Sequence, residues 1–218
     1  MAAYASLQNS HTSANVQNQA KRILDIIIAG AALIFLMPLI LTVAFFIRLQ
    51  DGGPAIYVQK RQGLNGQQFN CLKLRSMVLN SRERLEHILA TDPEARKEWL
   101  ETQKLTNDPR ITALGQFIRQ TSIDELPQLI NVLRGDMSLV GPRPIVDNEI
   151  VKYGDSFKQY CSVRPGLTGL WQVKGRSDTT YDERVALDVE YARTWSVLLD
   201  LKILFWTIPA VVLSRGAR

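Results

Sequence analysis

The stretch ILDIIIAGAALIFLMPLILTVAFFI, Ile23 to Ile47, decides the architecture of this chain. Its only ionisable group is Asp25, near the start, and about twenty-five apolar residues are enough to reach through the hydrocarbon core of a bilayer. A secretory signal is the alternative, but the apolar run is too long and no small-residue cleavage site follows. Lys21 and Arg22 precede the segment while Arg48, Lys60 and Arg61 follow it, and positive charge favours the cytoplasmic side. A straight span puts one basic flank outside. A helix broken at Met37-Pro38, where proline removes a backbone donor, enters and returns on the same face. Each half, about twelve residues at about 1.5 Å per residue, reaches about 18 Å into a core about 30 Å thick and so stays in one leaflet. An ordinary span that tolerates its proline is the competing topology.

Around this segment the chain divides into three parts. Residues 1–20 are polar and small, the composition of a disordered tail; 21–50 form the membrane helix; 51–218 form the remaining domain. After the turn DGGP (Asp51 to Pro54), IYVQKRQG and QQFNCLKLR flank Asn65-Gly66, a strong hairpin signal. Arg61, Lys73 and Arg75 lie along that hairpin, where they meet phosphates or keep an edge soluble. Ser81 to Leu105 reads as charged surface helix interrupted at Asp92-Pro93, and LPQLINVLRG as a helix closing at Gly135. Trp195 to Leu213 fits either an amphipathic helix in the bilayer interface or a core-packing terminal helix. The expected class is mainly α with one small β-hairpin.

The net charge of +5 suits a surface pressed on anionic lipid or handling phosphates, and no nucleic-acid module is recognisable. Cys71 and Cys161 form no disulfide framework and read as reduced thiols. The two histidines, His11 and His87, lie in the tail and in a charged helix, which leaves a Ser-His-Asp triad or a histidine-bound zinc little to stand on. Chemistry then falls to carboxylates, arginines and a hard metal. TSIDELPQL, Thr121 to Leu129, supplies adjacent carboxylates at Asp124 and Glu125, and Ser122 with Glu125 reads as a capping box opening a helix. Their mutual repulsion raises one pKa unless Mg²⁺ or Arg119 offsets it. In GDMSLVGPRPI, prolines on both sides of Arg143 restrict the backbone, as a pre-organised anion grip or as a rigid linker. RPGLTGLWQVKGR places Gly166, Gly169 and Gly175 between Arg164 and Arg176, which suits a backbone approaching a ligand closely or plain turns.

Taken in order, KRILD with its proline-broken apolar segment, QKRQGLNG, KLRSM, TSIDELPQLINVLRGDMSLVGPRP, RPGLTGLWQVKGR and DLKIL resemble the bacterial sugar transferases, the monotopic polyprenyl-phosphate phosphoglycosyl transferases. The resemblance runs from about Lys21 to the C-terminus. NDPR, RPGLTGLWQ and TIPAVVLSRG look most like the exopolysaccharide-initiating galactose-phosphate and glucose-phosphate transferases. It implies a catalytic domain on the cytoplasmic face of the bacterial inner membrane. It also implies that Asp124 attacks the β-phosphorus of a UDP-hexose, galactose first and glucose second, releasing UMP, and that undecaprenyl phosphate then takes the phosphosugar. Mg²⁺ is implied near Glu125 and Asp124; Arg119, Arg143 and Arg176 match motif arginines for the substrate, with Lys73 and Arg75 beside them. Many relatives have a serine before the proline of the membrane helix; here it is Met37, with Thr42 the nearby hydroxyl. A Mg²⁺-dependent hydrolase of diphosphosugars and a non-catalytic lipid-holding scaffold are the rival readings.

Overall fold

The computed structural model describes residues 2–102, 105–174 and 179–212, with side-chain surroundings at 18–100, 105–174 and 179–209. Helix α1, Ala2–Asp51, is a single helix with Pro38 inside it. Two expectations change here. The polar stretch read as a disordered tail is helical from Ala2: it contains neither proline nor glycine, so a helix nucleated by the apolar segment extends through it, adding one backbone bond per residue. The break expected at Met37-Pro38 is absent, because packing runs past the proline on both sides. Leu33 and Leu36 pack into the core cluster of the amino-terminal half, around Ala29, and also into that of the carboxyl-terminal half, around Ile40, Val43 and Ile47. Thr42 Oγ1 donates to the Pro38 carbonyl at 2.8 Å, a bond of the kind that bends a helix without ending it.

Strands β1, Ile56–Gln62, and β2, Gln68–Leu74, pair antiparallel from Ile56↔Leu74 to Gln62↔Gln68. Asn65 and Gly66 take the left-handed conformations that their residue types permit, with φ of 56° and 72°, inside a short 3₁₀ turn. Helices α2, Ser81–Thr91, and α3, Pro93–Thr102, meet where Asp92 accepts from the Glu94 and Ala95 amides at 3.0 Å each. Helix α4, Ala113–Gln120, starts on the Thr112 side chain, and α5, Gln128–Arg134, closes at Gly135 with φ 94°. A second sheet escaped the sequence reading: β3, Ser138–Val140, pairs parallel with β4, Gly166–Thr168. The rest comprises α6, Ile150–Tyr153, α7, Phe157–Tyr160, α8, Leu170–Lys174, α9, Tyr181–Thr194, and α10, Val197–Val212.

Polar groups bolt α1 to the domain at both ends of its apolar run. Near the start, Arg22 donates to the Val132 and Leu133 carbonyls at the end of α5 (2.7 and 2.9 Å), and buried Asp25 accepts from Ser138 Oγ and the Leu139 amide. Lys21 reaches the Val140 carbonyl, the Tyr191 hydroxyl and Asp200. At the far end Asp51 takes both guanidinium arms of Arg75, which also donates to the Pro54 carbonyl at 2.8 Å. Helix α10 is turned so that Asp200 and Ile203 are buried while Leu198, Phe205, Trp206 and Ile208 are exposed. The outer face of α1, including Ile27, Ile34, Phe35 and Phe45, is exposed in the same way, and an apolar surface of this extent suits lipid.

The Lys21–Asp200 pair is almost closed to solvent, at 14% and 10% side-chain exposure. Asp200→Ala therefore leaves an ammonium without its counter-charge and is expected to lower stability by about 3 kcal/mol, read by thermal unfolding in nanodiscs. Replacing both members, Lys21→Met with Asp200→Leu, should restore most of the loss. A melting temperature unchanged in Asp200→Ala would show that the pair does not hold α1 in place.

Candidate active site

The acidic pair sits on a 3₁₀ turn and not at the start of an α-helix. Ser122 is left-handed, with φ 57°, and makes no side-chain cap, so the capping box expected from Ser122 and Glu125 does not form. Pro127 has no N–H to continue an α-helical ladder. The segment instead makes i to i+3 bonds, Glu125 N to Ser122 O and Leu126 N to Ile123 O, before α5 begins. With about three residues per turn, neighbouring side chains diverge by about 120°. Asp124 is turned inward and buried, while Glu125 faces a small pocket.

That pocket is strongly basic. It is lined by Arg61, Cys71, Lys73, Glu125, Gln128, Arg143, Pro144, Gly166, Leu167 and Gln172. Lys73, on β2, donates to Glu125 Oε1 at 2.7 Å, and an Arg143 terminal nitrogen stands 3.5 Å from the same oxygen. Arg61 donates to the Pro144 carbonyl at 2.9 Å, which fixes the loop beside Arg143. Buried Tyr160 holds that loop from below: its hydroxyl accepts from the Ile145 amide and lies 3.0 Å from the Gln62 carbonyl and 3.2 Å from that of Arg143. Asn131, fully buried on α5, accepts from the Leu72 amide and donates to the Asn70 carbonyl, so α5 is tied to the strand that carries Lys73.

These surroundings separate the two acids. Burial, reinforced by the charge of Glu125, pushes Asp124 up to about 6 against the pull of Lys73, Arg119 and Arg143, and its oxygens accept no hydrogen bond among the described residues. Burial also acts on Glu125, but Arg143, Lys73 and Arg61 together outweigh it and hold the group down at about 2. Glu125 in turn raises Arg143. At neutral pH the pocket therefore carries three cations around one firmly ionised carboxylate, with a second, less firmly ionised carboxylate beside it.

The other expected residues divide. Arg119, exposed at the end of α4, is close enough to lower Asp124, whereas Arg176 and Gly175 lie outside the described residues. Arg75, expected at the substrate, is consumed instead by Asp51 and the Pro54 carbonyl as the far bolt of α1. The glycines of RPGLTG are needed for close backbone contact, and Gly166 also lines the pocket. A Cβ on Gly166 would meet the Gly141 amide nitrogen at 2.1 Å, one on Gly169 the Gly141 carbonyl at 2.2 Å, and one on Gly141 the Arg164 carbonyl at 2.3 Å. Asn131, Gln128, Tyr160 and Gln172 were missed because isolated amides and tyrosines carry no spacing signal. Asp25 did carry one, as a lone acid in an apolar run.

No group of three or more metal-ligating side chains occurs among the described residues. Two adjacent carboxylates, one with unbonded oxygens, nevertheless match Mg²⁺, which takes one or two carboxylates and completes its shell with substrate phosphates and water.

The profile of the bacterial sugar transferase family matches residues 16–214. The chain is 48% identical over 202 residues to the exopolysaccharide production protein ExoY of Rhizobium meliloti, covering 93% of this chain and 89% of that one. It is 52% identical over 197 residues to the undecaprenyl-phosphate galactose phosphotransferase of Salmonella typhimurium, covering 90% of this chain but 41% of the relative. Identity to the UDP-glucose:undecaprenyl-phosphate glucose-1-phosphate transferase of Caulobacter vibrioides is 40% over 205 residues, 90% of this chain and 71% of the relative. The chain thus spans nearly all of the rhizobial protein and about two-fifths of the Salmonella one.

The raised pKa of Asp124 fixes the sign of its effect on stability. Between its ordinary value of 3.8 and about 6 the folded chain keeps a proton that the unfolded chain loses, so stability falls as pH rises through this window and the cost persists above it. Asp124→Asn is expected to stabilise the fold at pH 7.5, by up to about 3 kcal/mol, and to have no effect at pH 3.5, read by denaturant unfolding. A destabilised Asn variant at pH 7.5 would mean that the carboxylate is held by favourable partners.

Proposed function

The chain belongs to the bacterial sugar transferase family, and we propose that it transfers a hexose-1-phosphate from a UDP-hexose to undecaprenyl phosphate as the first membrane step of exopolysaccharide synthesis. The observation that carries this reading is an adjacent acidic pair of which Asp124 is buried and Glu125 is held by Lys73 and Arg143 in a basic pocket. Asp124 is the nucleophile: desolvated and without a hydrogen bond among the described residues, its carboxylate is less stabilised as an anion than that of Glu125 and gains by forming a bond. A Asp124 oxygen bonds to the β-phosphorus, the bridging bond to UMP breaks, and UMP leaves with the electron pair. An oxygen of undecaprenyl phosphate then attacks the same phosphorus and frees the carboxylate. Lys73 and Arg143 hold the diphosphate oxygens, Arg143 with a planar fork on a proline-fixed backbone. Arg119 and Arg176 are assigned to the nucleotide side. Asp124 and Glu125 would hold Mg²⁺, which when bound neutralises charge on the diphosphate.

The two-step course suits one substrate dissolved in water and one in lipid. Supporting a position in a single leaflet, both ends of the apolar run of α1 are tied to the same domain, by Arg22 and Asp25 at one end and Asp51 at the other. Holding both ends on one domain opposes a path that puts them on opposite faces of the bilayer, and the exposed faces of α1 and α10 are then the surfaces in lipid on the cytoplasmic side of the inner membrane. Galactose is the first candidate hexose and glucose the second, in line with the names of the Salmonella and Caulobacter relatives.

The decisive measurement is UMP release over a panel of UDP-hexoses, with and without undecaprenyl phosphate and Mg²⁺. Asp124→Asn should abolish release and remain folded, and Glu125→Gln should be severely impaired with altered Mg²⁺ dependence. Arg143→Lys should lose most activity despite keeping its charge. In the unaltered chain release should fall as pH drops through about 6, because the nucleophile takes up its proton there. Turnover above a few per cent in Asp124→Asn would exclude the covalent step. Topology is tested separately: single cysteines near Lys21 and Gln50, in a chain lacking Cys71 and Cys161, should both react only from the cytoplasmic side, and periplasmic labelling of either would establish a span.

A further inference from the structure

Helix α8 places Gln172 in the wall of the basic pocket. Its Nε2 donates to the Leu167 carbonyl at 3.3 Å, which fixes the orientation of the carboxamide. The other end, Oε1, is closed to bulk water and accepts no hydrogen bond among the described residues. Gly169 leaves room for it: a Cβ there would stand 2.6 Å from Oε1. The neighbouring wall groups have the opposite character. Arg61, Lys73 and Arg143 can only donate, and the acceptor Glu125 is already engaged by Lys73 and Arg143.

A buried acceptor left alone is costly, and in the same wall the buried donor Arg61 Nε is likewise without a partner among the described residues, as expected of a site whose basic groups await an anion and whose acceptor awaits a donor. Diphosphate oxygens carry no proton at neutral pH, so they cannot satisfy Gln172. The missing partner is an O–H or N–H lying within reach of a diphosphate. Taking the transferase reading as the premise, we propose that Gln172 is a specificity-determining residue whose Oε1 accepts a hydrogen bond from a hydroxyl or imide group of the UDP-hexose while the basic groups hold its diphosphate. The proton comes from the hexose or ribose hydroxyls or from the uracil ring. A site built around one such acceptor discriminates against ligands that lack the matching donor.

The test uses calorimetry on full-length protein in nanodiscs, in the Asp124→Asn background so that no turnover occurs, with UDP, UDP-galactose and UDP-glucose as probes. Gln172→Met keeps the length of the side chain and removes the acceptor; it should weaken binding about tenfold. Equal weakening of all three probes places the proton on the nucleotide. Weakening of the UDP-hexoses alone, with a changed galactose-to-glucose ratio, places it on the sugar. A folded variant whose affinities all stay within twofold overturns the proposal. The unaltered chain gives a second measurement independent of folding. N3-methyl-UDP or deoxygenated UDP-hexoses should compete about tenfold more weakly at whichever group Gln172 holds, and equal competition by all of them overturns it as well. UMP release by the unaltered chain is read in parallel. Its absence with every UDP-hexose ends the transferase reading, whereas release with no effect at Gln172 ends only this inference.

Discussion

Asn131 is fully buried on α5 and commits its carboxamide to both neighbours of Cys71 on β2, taking the Leu72 amide and giving to the Asn70 carbonyl. That pair of bonds sets the position of α5 along the strand, and with it the distance between Lys73 on β2 and Glu125 just before the helix. The other end of α5 is held as firmly. Arg22 takes its last carbonyls and Arg164 the carbonyl of Gly135 at 2.9 Å, where positive charge is favoured by the helix dipole. A seven-residue helix is too short to persist in water alone. It is instead the shared element through which the membrane segment, the hairpin and the acidic turn keep one geometry.

The acids of that turn owe their difference to this placement. In sequence Asp124 and Glu125 are neighbours of the same charge. On a 3₁₀ turn they face different surroundings, one buried without a hydrogen bond among the described residues and one surrounded by Lys73, Arg143 and Arg61. Desolvation raises the first, and converging cations lower the second despite its own burial. The charge of Glu125 adds to the separation by raising Asp124 further.

Polarity in α1 and α10 is arranged in reverse of a water-soluble protein. Lys21, Asp25, Tyr191 and Asp200 are turned inward, and the large apolar side chains are left outside. Polar groups withdrawn from lipid must find partners within the protein, and each of these does. The ion pairs that anchor α1 are therefore also what frees its outer face, and that of α10, to be apolar.

Much of this was legible in the chain itself. The uncharged run from Ile26 to Ile47 determines a helix with an apolar outer face long enough for a membrane, because it carries no ionisable side chain. Asn65-Gly66 determines the hairpin turn, because both positions need φ above zero. Asp92-Pro93 and Gly135 determine where helices begin and end. What the sequence left undecided was every feature set by long-range contact. Lys73 on β2 and Arg75 just past its end looked equivalent, yet Arg75 is bound to Asp51 and Lys73 faces Glu125. The glycines of RPGLTG suited ligand approach or plain turns equally, and it is the backbone of Gly141 beside Gly166 and Gly169 that leaves no room for a Cβ. The Ser122 capping box was a sound local pattern that lost to the left-handed turn required to bring Glu125 over the hairpin. Local chemistry fixes backbone geometry within a few residues, whereas burial and the distance between charges depend on segments as far apart as Lys21 and Asp200, so only the tertiary structure could say which charges meet.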